Sequence, residues 1–179
     1  MKNEAYENLL RRRSCRCFDP DSQLDEETLQ AILDAGTYAP SGGNRQSAVI
    51  LVLRDNPKAR EWLAGMNRKY GKPGGDPFYG APTILIVLAE RSNPNHVYDG
   101  ALVMGNLMNA ACALGVDSIW INRARETFDD AEGKAMLKEW GIAGDYEGIG
   151  HCALGYRMAP LAPAAPRKDG YVIRIPKIE

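Results

Sequence analysis

Residues 48–53 read Ala-Val-Ile-Leu-Val-Leu, an unbroken apolar run rich in β-branched side chains. A run of that length suits a buried strand, because β-branched residues pack well on a pleated surface covered on both faces. Further strands are predicted at 84–89, 118–122 and 148–154, with helical stretches between them. This alternation shows no internal repeat, and a chain of 179 residues is about one domain's worth. One compact unit of mixed helix and sheet is therefore expected over residues 1–179. Periodicity alone points to parallel βαβ units.

Local signals place the helices. Asp25 reads as an N-cap, with Leu24 and Leu29 set as a hydrophobic staple, and the helix runs to about Gly36, expected in the left-handed conformation usual past a helix C-terminus. A short helix surrounds Trp62, and the glycine-rich stretch 71–77 reads as a mobile loop. Asn95 is placed to cap a long helix over 97–115, whose apolar residues cover much more than one stripe, so it belongs in the core or in a subunit interface. Its uncharged stretch, 100–116, falls short of the roughly 20 residues that span a membrane. One helix is expected over 129–140. Beyond Tyr156 the chain carries Pro160, Pro163 and Pro166, then a segment, 171–175, that alternates like an added strand.

Charge excludes whole classes of partner. The 22 Lys and Arg residues nearly balance 23 Asp and Glu, a net −1, so no general field draws the chain to nucleic acid or to an anionic membrane. Cys15, Cys17, Cys112 and Cys152 are expected as reduced thiols, since a chain this long needs no disulfide staples and shows no secretory leader. The expected address is the cytoplasm.

Three segments concentrate chemistry. Arg11-Arg-Arg-Ser-Cys-Arg16 puts four arginines and a hydroxyl into six residues. Arginine's planar fork pairs bidentately with phosphate oxygens, so the composition suits a phosphate monoester, although a solvated helix face would read the same. Pro40-Ser-Gly-Gly-Asn-Arg-Gln46 joins paired glycines, which let backbone approach a ligand, to amide side chains that match a flavin's alternating N–H and C=O edge. As a plain helix-to-strand connection it would need no ligand. The third is Pro166-Arg-Lys168, ordinarily a charged turn. Neither a Gly-x-Gly-x-x-Gly cradle nor a phosphate-binding Gly-x-x-x-x-Gly-Lys motif is present, Cys15 and Cys17 have the wrong spacing for zinc, and His96 and His151 lack ligand companions. No metal is expected. His151 and Cys152 would point to opposite faces of a strand, which separates them as a base and nucleophile.

The order of these motifs resembles the FMN-dependent nitroreductase family. The matching residues are Arg12-Arg-Ser-Cys-Arg-Cys-Phe18, Leu29 to Gly36 leading into Ala39-Pro-Ser-Gly-Gly-Asn-Arg-Gln46, Ala81-Pro82, Asp99, Ala113-Leu-Gly-Val116, Trp120, Leu154-Gly-Tyr156 and Pro166-Arg-Lys168. The resemblance implies an α+β fold, a three-layer helix-sheet-helix sandwich whose mixed sheet is largely antiparallel, with 157–179 as an arm extending onto a partner subunit. It implies a homodimer with FMN at the interface, moving hydride from NADH or NADPH through flavin N5 to a nitroaromatic, quinone or similar small-molecule acceptor. No catalytic side chain is implied, because the cofactor carries the chemistry. By position, Arg12 and Ser14, with Arg13 beside them and Arg167 or Lys168 from the far end, would hold the FMN phosphate. Arg16 would reach the N1 and O2 edge. Pro40, Ser41 and Gly42 would approach from the other subunit with Asn44 nearby, and the stretch through Asn122 and Arg123 would offer a backbone N–H near N5. After Gln46 the family commonly has Pro and an aromatic residue, where this chain has Ser47 and Ala48. Two other readings compete: an FMN-binding protein that stores or senses flavin without turnover, and a small polyanion-binding module using Arg11 to Arg16.

Overall fold

The computed structural model describes residues 3–176, so both ends of the expected unit, and the last three residues of its arm, lie outside the described residues. Helix α1 (Glu4–Arg11) is capped by the Asn3 side chain, which accepts the Tyr6 N–H, and buries none of its residues. Helix α2 (Glu26–Thr37) starts where expected: the Asp25 carboxylate accepts the Thr28 N–H at 2.7 Å. Strand β1 (Ala48–Leu53) is followed by α3 (Pro57–Tyr70), strand β2 (Thr83–Glu90) and the long helix α4 (His96–Ala113). Then come β3 (Asp117–Ile121), α5 (Ala124–Asp129), α6 (Ala131–Glu139) and β4 (Tyr146–Gly155).

The four strands form one sheet in the order β1-β2-β4-β3, and every pairing is antiparallel. The parallel βαβ arrangement suggested by periodicity is thereby corrected. Burial on both faces makes a strand apolar whichever way its neighbours run, so the pattern reports coverage and not direction. A parallel component survives at the outer edge of β3, where Ser14 bridges Ser118. From there the N-terminal segment runs beside the end of the sheet: Phe18 bridges Arg157, and the Met158 N–H donates to the Cys17 carbonyl at 3.0 Å.

Alternation along the central strands assigns the layers. Ile84, Ile86 and Leu88 of β2 face one way, into a core with Leu63 of α3, Phe128 of α5 and Leu137 of α6. Leu85 and Val87 face the other way, into a core with Leu29 and Ile32 of α2 and Met104 and Leu107 of α4. The same alternation puts His151 beside Phe78 and Phe128 on the first face and Cys152 in the second core, so these neighbours do not meet. This is the three-layer α+β sandwich expected.

Several local expectations are revised. Gly36 lies inside α2, buried, and a Cβ there would stand 2.6 Å from Leu107 Cδ2; its hydrogen side chain serves close packing of α2 on α4, not a left-handed turn. The single helix expected over 129–140 is two helices, because Asp130 takes an extended conformation (φ −64°, ψ 147°) and caps α6 by accepting the Glu132 N–H. Asn95 precedes α4 without a side-chain capping bond. Residues 171–175 form no strand; Val172, Ile173 and Ile175 are each about four-fifths exposed. Alternation records a preference for pairing, and among the described residues no strand pairs with that segment. Helix α4 buries Val103, Met104, Leu107 and Ala111 yet leaves Val97, Tyr98 and Leu102 exposed, so its all-round apolarity exceeds what this chain alone covers.

Candidate functional site

The arginine-rich segment follows the last turn of α1 and enters the edge of the sheet. Ser14 bridges Ser118, and the Cys15 N–H donates to the Ser118 carbonyl at 3.1 Å, which sets Arg12 and Arg13 over the junction between α4 and β3. There a cavity of about 920 Å³ is lined by Arg11, Arg12, Arg13, Asp117, Ser118 and Arg157, with residues 158–163 of the tail closing one side. Arg11 donates to the Cys112 carbonyl and Arg13 to the Leu10 and Arg12 carbonyls. Arg157 is tied to Asp117 twice, through its backbone N–H (3.1 Å) and its Nη1 (2.9 Å). With one carboxylate among four guanidinium groups, the cavity keeps a cationic surplus. Two polar atoms on its wall, Arg12 Nη1 and Ser118 Oγ, are buried without a partner among the described residues. Buried donors are ordinarily satisfied, so an orphaned arginine nitrogen marks a place for an anion.

The Pro40 segment lies elsewhere. It forms a tight turn over Gly42–Asn44, and Gly43, Asn44 and the nearby Gln46 all have positive φ (61°, 53° and 49°). Asparagine tolerates that region and glutamine does so less readily. The turn is braced internally: Ser41 Oγ accepts the Gln46 N–H, and Gln46 Nε2 donates to Asn44 Oδ1. Pro40 and Ser41 line a second cavity of about 320 Å³ with Gln46, Ile50, Asp99 and Val103, and no residue lines both cavities.

Asn122 and Arg123 follow β3, both exposed. The Asn122 carbonyl accepts from buried Asn67 at 2.8 Å, while Arg123 sits in the left-handed region (φ 81°) with its guanidinium on Glu126. Arg16 is exposed, as are Arg167, which donates to the Ala165 carbonyl, and Lys168, which lies over the Tyr171 ring. One chain thus gathers Arg12, Arg13 and Ser14, but keeps apart the groups around Pro40, Asn122 and Arg167.

Burial sets the chemistry of the thiols and of His151. Burial pushes the Cys152 thiol up to about 12, against the opposing charge of Arg12, and raises Cys15 as well. His151 is fully buried and driven down to about 4, so it is a neutral ring at physiological pH. All four cysteines are free. Among the described residues, no cluster of His, Cys, Asp and Glu could hold a metal ion, and no helix is long and apolar enough to cross a membrane.

Sequence reasoning missed Arg157, Asp117 and Ser118 at the first cavity, and Asn93, which is hydrogen-bonded to Ser47 and Asp99 behind the Pro40 turn. Arg157 directly follows the Leu154-Gly-Tyr156 motif, a placement that could have flagged it. Its pairing with Asp117 depends on the β3–β4 register, which sets Asp117 opposite Gly155.

This architecture has clear counterparts. The nitroreductase family model matches residues 9–156. A protein of Archaeoglobus fulgidus named "Putative NADH dehydrogenase/NAD(P)H nitroreductase" is 30% identical over 123 residues, covering 66% of this chain and 67% of that one. A nitroreductase from Bacteroides fragilis, solved with bound FMN, is 30% identical, with a TM-score of 0.86 over 97% of this chain and 100% of the other. One from Desulfitobacterium hafniense, also with bound FMN, is 26% identical with the same TM-score and the same coverage. With most of its length matched in sequence and in fold, this chain belongs to the nitroreductase family.

Proposed function

We propose that this protein is an FMN-dependent oxidoreductase, working as a homodimer, that moves hydride from NADH or NADPH to a nitroaromatic, quinone or similar oxidised acceptor. The observation that carries the reading is the orphaned Arg12 Nη1 on the wall of an arginine-lined cavity. A phosphate monoester fits those donors: Arg12, Arg13, Arg157 and the Ser118 hydroxyl would hold it, with Ser14 alongside and Arg167 or Lys168 arriving on the tail. Bound FMN would supply the chemistry, carrying hydride from the nicotinamide donor to the oxidised acceptor. The protein contributes orientation and charge: Arg16 would lie toward the N1 and O2 edge, and Asn122 and Arg123 would offer backbone to the N5 side.

Two chains explain why the site is scattered in one. Pro40, Ser41, Gly42 and Asn44 would close the site from the partner subunit, which agrees with a second cavity that shares no lining with the first. The exposed apolar face of α4 and the exposed Val172, Ile173 and Ile175 would be covered in the same way. Residues 1–179 are then one FMN-binding domain with 157–179 as its arm. Agreement with the FMN-bound relatives from B. fragilis and D. hafniense supports the cofactor, and the A. fulgidus relative's name supports the donor.

The test is the anaerobic visible spectrum of the purified protein before and after addition of NADH or NADPH. Yellow protein that bleaches is the expected result. Flavin that stays oxidised would favour storage or sensing, and protein that refuses FMN would overturn the site.

A further inference from the structure

The turn that carries Ser41, Gly42 and Asn44 is held by a buried polar clamp that none of its own residues reveals. Asp99, in the first turn of α4, is 4% exposed. Its Oδ1 accepts the Gly42 N–H at 3.0 Å, and its Oδ2 accepts from Asn93 Nδ2 at 2.7 Å. Asn93, 3% exposed, gives its other Nδ2 hydrogen to Ser47 Oγ at 2.8 Å, and its Oδ1 accepts the Asn95 N–H. The Asn95 amide in turn lies so close over Gly42 that a Cβ there would run into it. One Asp–Asn pair therefore grips both ends of the turn, Gly42 at its entry and Ser47 at its exit.

Between those ends stand three residues of positive φ, two of them not glycine. Such a conformation persists only where its surroundings over-determine it. At the exit, the internal brace from Ser41 Oγ to the Gln46 N–H is joined by two bonds to Ser47: its carbonyl accepts the Glu90 N–H at the end of β2, and its Oγ accepts from Asn93 in the segment that follows.

We infer that Asp99 and Asn93 are positioning residues: their clamp holds the 41–47 turn in the shape that receives the flavin. This rests on the FMN reading above. Each atom has a defined role, so the pair can be exchanged. In Asp99→Asn alone, two amide NH2 groups face each other; in Asn93→Asp alone, two carboxylates do. In the double variant, the amide oxygen introduced at position 99 still accepts from Gly42, the NH2 beside it donates to the carboxylate introduced at position 93, and the Ser47 hydroxyl turns from acceptor to donor. Every bond is restored, with donor and acceptor exchanged between positions 93 and 99 and between 93 and 47, and the Gly42 and Asn95 N–H groups still donating.

The experiment titrates FMN into the four full-length proteins by flavin fluorescence and measures hydrogen exchange of the 42–47 amides without FMN. Each single variant is expected to bind FMN at least tenfold more weakly and to exchange the Gly42 amide faster, with the double variant close to wild type in both. Single variants that bind within twofold of wild type would overturn the inference, as would a double variant no better than the singles. Should a single variant fail to fold, the double variant still decides. Wild-type protein that takes no FMN would instead overturn the functional reading. The exchange rates then judge the clamp, and equal rates in wild type and singles would refute it.

Discussion

Arg12→Met separates a binding role from a structural one by the sign of two effects. Methionine keeps most of the apolar stem but removes the guanidinium, including the buried Nη1 that has no partner among the described residues. An unsatisfied buried donor costs about 1 to 3 kcal/mol, and relief at the lower end raises the apo melting temperature by roughly 2 to 4 °C for a chain of this size. Toward a phosphate the change works oppositely. A charge-assisted hydrogen bond contributes about 1.5 to 3 kcal/mol, so FMN affinity should fall by roughly 10- to 150-fold. Thermal melts without flavin, together with fluorescence titration of FMN, read both effects on the same preparation. Arg12 would be a structural residue, and the phosphate assignment wrong, if the variant melted lower while binding FMN as tightly as wild type.

Other perturbations follow from the same geometry. His151 is neutral when folded, with its pKa held near 4, while the unfolded chain takes up a proton below about 6.5. Its contribution is complete above pH 6.5 and is lost as pH falls toward 4, on the order of 3 kcal/mol, and urea melts of His151→Leu should lack that part of the acid limb. Gly36→Ala, which in an exposed helix would stabilise, should cost about 1 to 3 kcal/mol here, because the new Cβ meets Leu107 Cδ2 at 2.6 Å within a packed core; denaturant melts give the sign. A thiol reagent at pH 8 should label exposed Cys17 in the folded protein and leave Cys152 untouched until denaturant is added, as mass spectrometry of the labelled peptides would show.

Local rules were readable in the chain because their causes are local. The Asp25 cap, the strand at 48–53 and the opposed His151 and Cys152 each depend on residues a few positions apart, and the structure has all three, although β1 lies at the sheet edge with only Leu53 buried, because the expected cover on both faces depends on layers the local pattern does not specify. The helix expected over 129–140 failed through an equally local competitor, since Asp130 serves better as a cap for α6 than as a link in a continuous helix. Gly36 misled for the opposite reason: its proximity to the end of α2 was visible, and Leu107, 71 residues away, was not.

By itself, the sequence determined which runs are apolar, where α2 begins, and that four arginines gather beside Ser14, since composition and spacing along the chain suffice for these. Periodicity left the strand direction open and the family resemblance implied an antiparallel sheet, while only the tertiary structure decided that Arg157 and Asp117 join the arginine cavity and that Asp99 and Asn93 grip the Pro40 turn. Those facts depend on register and on layers meeting across the sheet. Hydrophobic burial, which writes the pattern into the chain, is non-directional and cannot encode which polar groups will be left facing one another.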